Sequence, residues 1–131
     1  MNLSPDDATD APTTPAAEAP TLLDHERLDC YRAAIEFAAM VPALTRAGRP
    51  AMRDQLERAS SSIALTLAEG CARRTRRDRH HFFSIAQGSA MECAAALDIL
   101  RALGQVSQAD AAAAKRKITR IVQMLVGLRR K

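Results

Sequence analysis

Four apolar seams with helical spacing, separated by three short breaks, constrain this chain more than any other feature. The last seam is the cleanest: Ala114, Ile118, Ile121, Leu125 and Leu128 recur at alternating four and three residues, the period that keeps side chains on one side of an α-helix. Phe82, Ala86, Ser89, Cys93, Leu97 and Leu100 predict a long third helix, and Met52, Leu56, Ala59, Ile63 and Leu67 a second. The first pattern has two neighbouring stripes, one of Leu28, Tyr31, Ile35 and Ala38, the other of Ala34, Phe37, Val41 and Leu44. Two stripes predict a helix buried over a broad face, in a bundle or an oligomer.

The breaks carry their own signals. Gly48, Arg49 and Pro50 close the first pattern, and proline suits the first turn of the next helix. Gly70 is expected to stop the second helix in a left-handed conformation, as is Gly104 the third. Thr75 with Asp78, and Ser107 with Asp110, read as caps of the third and fourth helices. Pro42 lies inside the first pattern and has no N–H, which predicts a kink or an early end near Met40. Connections this short favour antiparallel neighbours. The expected fold class is therefore all-α: an antiparallel up-down-up-down four-helix bundle. With Tyr31, Phe37, Phe82 and Phe83 the only aromatic residues and alanine abundant, helices packed through small side chains are favoured over a β-sandwich.

The domain organisation expected is a disordered tail over residues 1–21 and a bundle over residues 22–131. The tail holds Pro5, Pro12, Pro15 and Pro20 among Ala, Thr, Asp and Glu, and has no periodic apolar positions with which to offset its ordering entropy. The amino terminus lacks the basic and apolar regions of a signal peptide, and no apolar run is long enough to span a membrane. A cytoplasmic protein without membrane contact is expected.

Charge divides the chain. Residues 1–44 hold two basic and eight acidic side chains, a net of −6, whereas residues 45–131 hold 17 basic and seven acidic, a net of +10. In an up-down-up-down bundle the second-to-third connection shares an end with the carboxyl terminus. Arg73, Arg74, Arg76, Arg77, Arg79, His80 and His81 are thereby placed near Arg129, Arg130 and Lys131. So many like charges at one end destabilise the fold unless an anion is bound there. Arg73, Arg74, Arg76, Arg77, Arg79, His80, Arg129, Arg130 and Lys131 are the candidate nucleic-acid-binding residues, contacting the RNA or DNA backbone. Arginine grips phosphate with a planar, bidentate fork, which suits structured or single-stranded RNA. Phe82 and Phe83 are expected in the core, so reading of unstacked bases is not predicted.

Other chemistry finds no support. A turn centred on Ala72 to Arg74 puts Glu92 level with Asp54 and Gln55, and Glu69 level with Arg77. The two glutamates are then roughly 22 Å apart along the bundle and cannot act on one substrate atom. Structural roles are expected, Glu69 with the arginine connection and Glu92 with Arg58 or Arg53. Adjacent His80 and His81 point about 100° apart and do not chelate a metal as an i, i+4 pair does. Ser60, Ser61 and Ser62 lack the surroundings of a nucleophile. Cys30, Cys71 and Cys93 have neither disulfide-framework nor zinc spacing. No catalytic residues, no metal and no cofactor are assigned, and the chain is not expected to be an enzyme.

The segments LDCY (Leu28 to Tyr31), QLERA (Gln55 to Ala59), Ser62-Ile63, AEG (Ala68 to Gly70) and FSIAQGSAME (Phe83 to Glu92) carry a resemblance. Over about Leu28 to Leu128 the chain resembles the bacterial four-helix-bundle family of 23S ribosomal RNA intervening-sequence proteins. It departs from that family at Thr66, where Asn is usual, and at Pro42, where the first helix normally continues. The resemblance implies a left-handed antiparallel four-helix protomer that assembles as a homopentamer. More distantly, the chain is similar to the accessory variability determinant of diversity-generating retroelements, which implies a reverse transcriptase or another acidic protein as an alternative partner and a scaffolding role. The matching positions Gln55, Ser62, Ile63, Glu69, Gly70, Gly88, Ser89 and Glu92 form no known catalytic set.

Overall fold

The computed structural model describes residues 23–130. A single 3₁₀ turn, Asp24–Arg27, precedes four α-helices: α1 (Asp29–Leu44), α2 (Pro50–Cys71), α3 (Arg76–Ala102) and α4 (Gln108–Arg129). No strand occurs among the described residues. The proposed tail, residues 1–21, lies outside them, as does Lys131.

Each helix packs on its neighbours in sequence, and α1 closes the ring by packing on α4. Among the described residues the diagonal pairs α1–α3 and α2–α4 do not approach, as an antiparallel four-helix bundle requires. Connections over residues 45–49, 72–75 and 103–107 are too short for anything but a reversal of direction. The core is filled from every helix: Phe37 and Val41, Leu56, Ile63 and Leu67, Leu97 and Leu100, Ile121 and Leu125 are fully buried.

Helix boundaries follow the local chemistry. Thr75 Oγ1 accepts from Asp78 N and Ser107 Oγ from Asp110 N, both at 3.1 Å, so each hydroxyl satisfies one of the amide donors left free at a helix start. Gly104, at φ +73°, ends α3. Pro42 does not end α1 near Met40; the helix runs on to Leu44. Only two residues follow the proline, so the missing donor falls in the last turn, and Thr45 there gives both its N and its Oγ1 to the Val41 carbonyl, at 2.9 and 2.8 Å.

Three seam assignments are corrected. In α1 the buried stripe is Cys30, Ala34, Phe37 and Val41, while Ile35 is 45 % exposed; the stripe of Leu28, Tyr31, Ile35 and Ala38 therefore flanks the core without entering it. In α3 the aromatic in the core is Phe83, and Phe82 is only half-buried. Adjacent helical residues diverge by about 100°, so one of the pair must leave the seam. Gly70 does not stop α2. It lies inside the helix and is buried, with no positive φ, and its missing side chain admits Phe83: a β-carbon at residue 70 would lie 2.8 Å from Phe83 Cε1 and 3.0 Å from Phe82 Cβ.

The motif residues of α2 and α3 turn out to be partners of one another. Gln55 Nε2 donates to Glu92 Oε2, so Glu92 is held by Gln55 and not by Arg53 or Arg58. Ser62 and Ser89 share a hydroxyl hydrogen bond of 2.8 Å, and Gly70 seats Phe83. Serine against serine at 62 and 89, and glycine against Phe83, let the two helices come close at those two levels. Thr66 Oγ1 turns back to the Ser62 carbonyl at 2.6 Å, which occupies the hydroxyl within its own helix.

A candidate nucleic-acid interface at the arginine end

The connection 72–75 is bounded by the end of α2 and the first turn of α3, so it carries Arg73 and Arg74 itself and passes Arg76, Arg77, Arg79 and His80 directly to the start of α3. All five arginines are exposed, and His80 is half-buried with its ring centroid 6.4 Å from that of Phe83. The carboxyl end of α4 reaches the same place: Arg76 Nη2 approaches the Arg130 carbonyl at 3.5 Å. Arg129 lies somewhat deeper along the bundle, its Nη1 donating to Gln87 Oε1 at 2.7 Å. The structure thus gathers Arg73, Arg74, Arg76, Arg77, Arg79, His80, Arg129 and Arg130 at one end.

Their environments differ. Arg129 and Arg130 sit where the α4 dipole presents its negative end, a favourable place for cations. Arg76, Arg77 and Arg79 sit at the positive end of α3, with Asp78 the one acidic residue of that turn, and here the dipole opposes them. Among the described residues, Arg73 alone of the five is paired with a carboxylate, its Nη2 2.9 Å from Glu69 Oε2. Glu69 thus joins the arginine connection as expected, but through Arg73 and not Arg77. Arg74, Arg76, Arg77 and Arg79 point charge at solvent with no carboxylate partner within that set.

A half-buried thiol lies beneath this surface. Burial pushes Cys71 above its usual value, the Arg79 guanidinium pulls it back, and the carboxylate of Asp24 raises it again. The 3₁₀ turn is the source of that carboxylate, since Leu23, Asp24 and His25 line a cleft with Ala68, Cys71 and Ala72. The amino-terminal side of the bundle therefore joins at the arginine end.

Periodicity alone misplaces one residue of the site. Phe82 carries the Arg73 guanidinium over its ring, with Cζ 4.6 Å from the centroid, and the His81 ring meets it edge-on at 5.4 Å. The signal is present in the spacing: Phe83, Ala86, Ala90, Cys93, Leu97 and Leu100 alternate three and four more regularly than a seam started at Phe82.

The two glutamates stay apart. Glu92 is held beside Gln55, and Glu69 lies fourteen residues further along α2, about 21 Å, so they do not form an acid-base pair. Among the described residues no three His, Cys, Asp or Glu side chains come together to hold a metal. No described helix is long and apolar enough to cross a membrane.

Fold and surface together define a small helical bundle with a cationic end. Residues 26–127 match the 23S rRNA-intervening sequence protein family, and the chain belongs to it. Among curated proteins no sequence matches significantly. Among solved structures, the chain is similar to a protein of unknown function from the S23 ribosomal protein family of Bacteroides thetaiotaomicron VPI-5482, with a TM-score of 0.73 and 20 % identity over 78 % of this chain and 99 % of that one. That likeness is one of fold.

Proposed function

We propose that this protein is a non-enzymatic, cytoplasmic accessory protein that holds nucleic acid, RNA foremost, through backbone phosphates at the arginine end. The observation that carries the reading is the placement of Arg76, Arg77 and Arg79 in the first turns of α3, beside Arg74 and the end of α4, against both their mutual repulsion and the helix dipole. A bound polyanion removes that cost. The family's description links it to ribosomal RNA intervening sequences, which supports RNA as the ligand.

The nucleic-acid-binding residues proposed are Arg73, Arg74, Arg76, Arg77, Arg79, His80, Arg129, Arg130 and Lys131. Self-association as a homopentamer is part of the proposal, and exposed Ile85, Met91 and Ile99 on α3 and Leu65 on α2 offer apolar surface for it. A ring of identical cationic ends would multiply weak single-site contacts.

Titrating RNA at increasing salt tests the reading. Log affinity should fall linearly with log salt, and Arg74→Gln, Arg77→Gln and Arg79→Gln should each reduce the slope by about one, since each removes a cation that neutralises a phosphate. Salt-independent affinity, or none at low salt, overturns it. Native mass measurement before and after nuclease treatment reads oligomer number and bound nucleic acid together. A co-purifying acidic protein such as a reverse transcriptase, in place of nucleic acid, would support the scaffold reading instead.

A further inference from the structure

Arg73 is set apart from the other arginines of the connection. Glu69, one helical turn before it, holds its Nη2 at 2.9 Å, and the Phe82 ring lies under its Cζ at 4.6 Å. Phe82 is itself fixed: it is half-buried, it meets His81 edge-on, and its Cβ packs where Gly70 leaves room. The guanidinium is therefore held by a carboxylate and an aromatic ring together, while the side chain remains 43 % exposed.

This arrangement suits a different task from phosphate binding. A cation already balanced by a carboxylate releases few counterions when a phosphate arrives. A planar, weakly hydrated guanidinium laid over an aromatic ring presents a flat surface on which a base can stack. Arg74, Arg77 and Arg79, on the same connection and the adjoining turns, have no such restraints among the described residues.

We propose that Arg73, clamped by Glu69 and Phe82, is a stacking platform for an unpaired nucleobase of the strand whose phosphates the neighbouring arginines hold; the inference rests on the phosphate-binding reading above. Bases within a duplex are already stacked on one another, so the platform selects single-stranded or looped RNA. It supplies preference for strands with free bases, with little sequence discrimination, because every base has a flat face.

The test compares a short adenosine oligoribonucleotide with an abasic ribose-phosphate strand of equal length and charge, using the full chain. Wild type is expected to bind the adenosine strand at least about fivefold more tightly. Arg73→Lys, which keeps the charge and loses the plane, should abolish that preference, so that the adenosine and abasic strands bind alike. Phe82→Leu, which keeps apolar volume under Gly70, should do the same, and Arg77→Gln should weaken both strands alike. Equal binding of the two strands by wild type, or a preference that survives Arg73→Lys, overturns the platform and leaves phosphate binding standing. Failure of both strands to bind at low salt removes both.

Discussion

Gly70 of α2 and Phe83 of α3 are in such close contact that a β-carbon on the glycine would stand 2.8 Å from Phe83 Cε1. Phe83 is 5 % exposed and has little room to retreat. Gly70→Ala gains helix propensity of about 1 kcal/mol, yet the overpacking should outweigh it, with a net destabilisation of about 1–3 kcal/mol in a denaturant titration. Gly127, in α4 with nothing within 4 Å of a β-carbon, is the control: Gly127→Ala should stabilise by about 0.5–1 kcal/mol. A neutral or stabilising Gly70→Ala would refute the close-approach role.

The hydroxyl pair of Ser62 and Ser89 predicts non-additivity. The two oxygens are 2.8 Å apart in a part-buried position between α2 and α3. Removing one hydroxyl leaves the other short of a partner, so Ser62→Ala and Ser89→Ala should each cost about 1 kcal/mol, and the double variant no more than either single one. Additive losses in a double-mutant cycle would show that the hydrogen bond is not what couples the two positions.

The buried thiols predict a pH dependence. Burial pushes Cys30 up to about 12, with Cys71 nearby adding to it, and pushes Cys93 up to about 12, with Glu92 adding to it; their ordinary value is 9.0. The folded state therefore keeps these protons where the unfolded chain gives them up. Their contribution to stability is complete below pH 9.0, is lost as pH rises through that value, and is gone near 12. In that window stability should fall by up to about 1.4 kcal/mol per pH unit for each thiol. Chemical denaturation across the range should show a shallower fall for a Cys30→Ala/Cys93→Ala variant; a slope equal to wild type would contradict the assignment.

The acidic leader predicts competition. Residues 1–22 contain Asp6, Asp7, Asp10 and Glu18 and no Lys or Arg. They join the bundle through Leu23 and Asp24, beside Cys71 and Ala72 at the arginine end. A tethered anionic segment has an effective concentration on the order of millimolar there. Deleting residues 1–21 should tighten RNA binding severalfold at low salt, with the difference closing as salt screens the charges. Unchanged affinity at low salt would rule out competition.

The parts of this fold that depend on local chemistry are legible in the chain alone. Period, caps and breaks place four helices, and short connections fix their antiparallel order, because each signal acts within a few residues along the chain. The same topology puts the arginine connection and the end of α4 together, as Arg76 and Arg130 confirm. Pairing is legible only approximately: levels set by the turn put Gln55 beside Glu92, as found, but Glu69 beside Arg77, where Arg73 takes its carboxylate instead.

What the sequence by itself determined is therefore the all-α bundle, its antiparallel order and the charge of its ends. Tertiary structure decided the rest. A glycine with the character of a helix stop became the seat of Phe83, because only the approach of α3 shows what a missing side chain is for. Phe82 was moved out of the core and placed under Arg73, because two adjacent aromatics cannot both face one seam, and only the neighbouring helices and the connection show which is displaced. Five arginines of similar sequence character were likewise divided, Arg73 held by Glu69 and Phe82 and the others left facing solvent. That division arises from contacts across a folded turn, and no local pattern along the chain contains it.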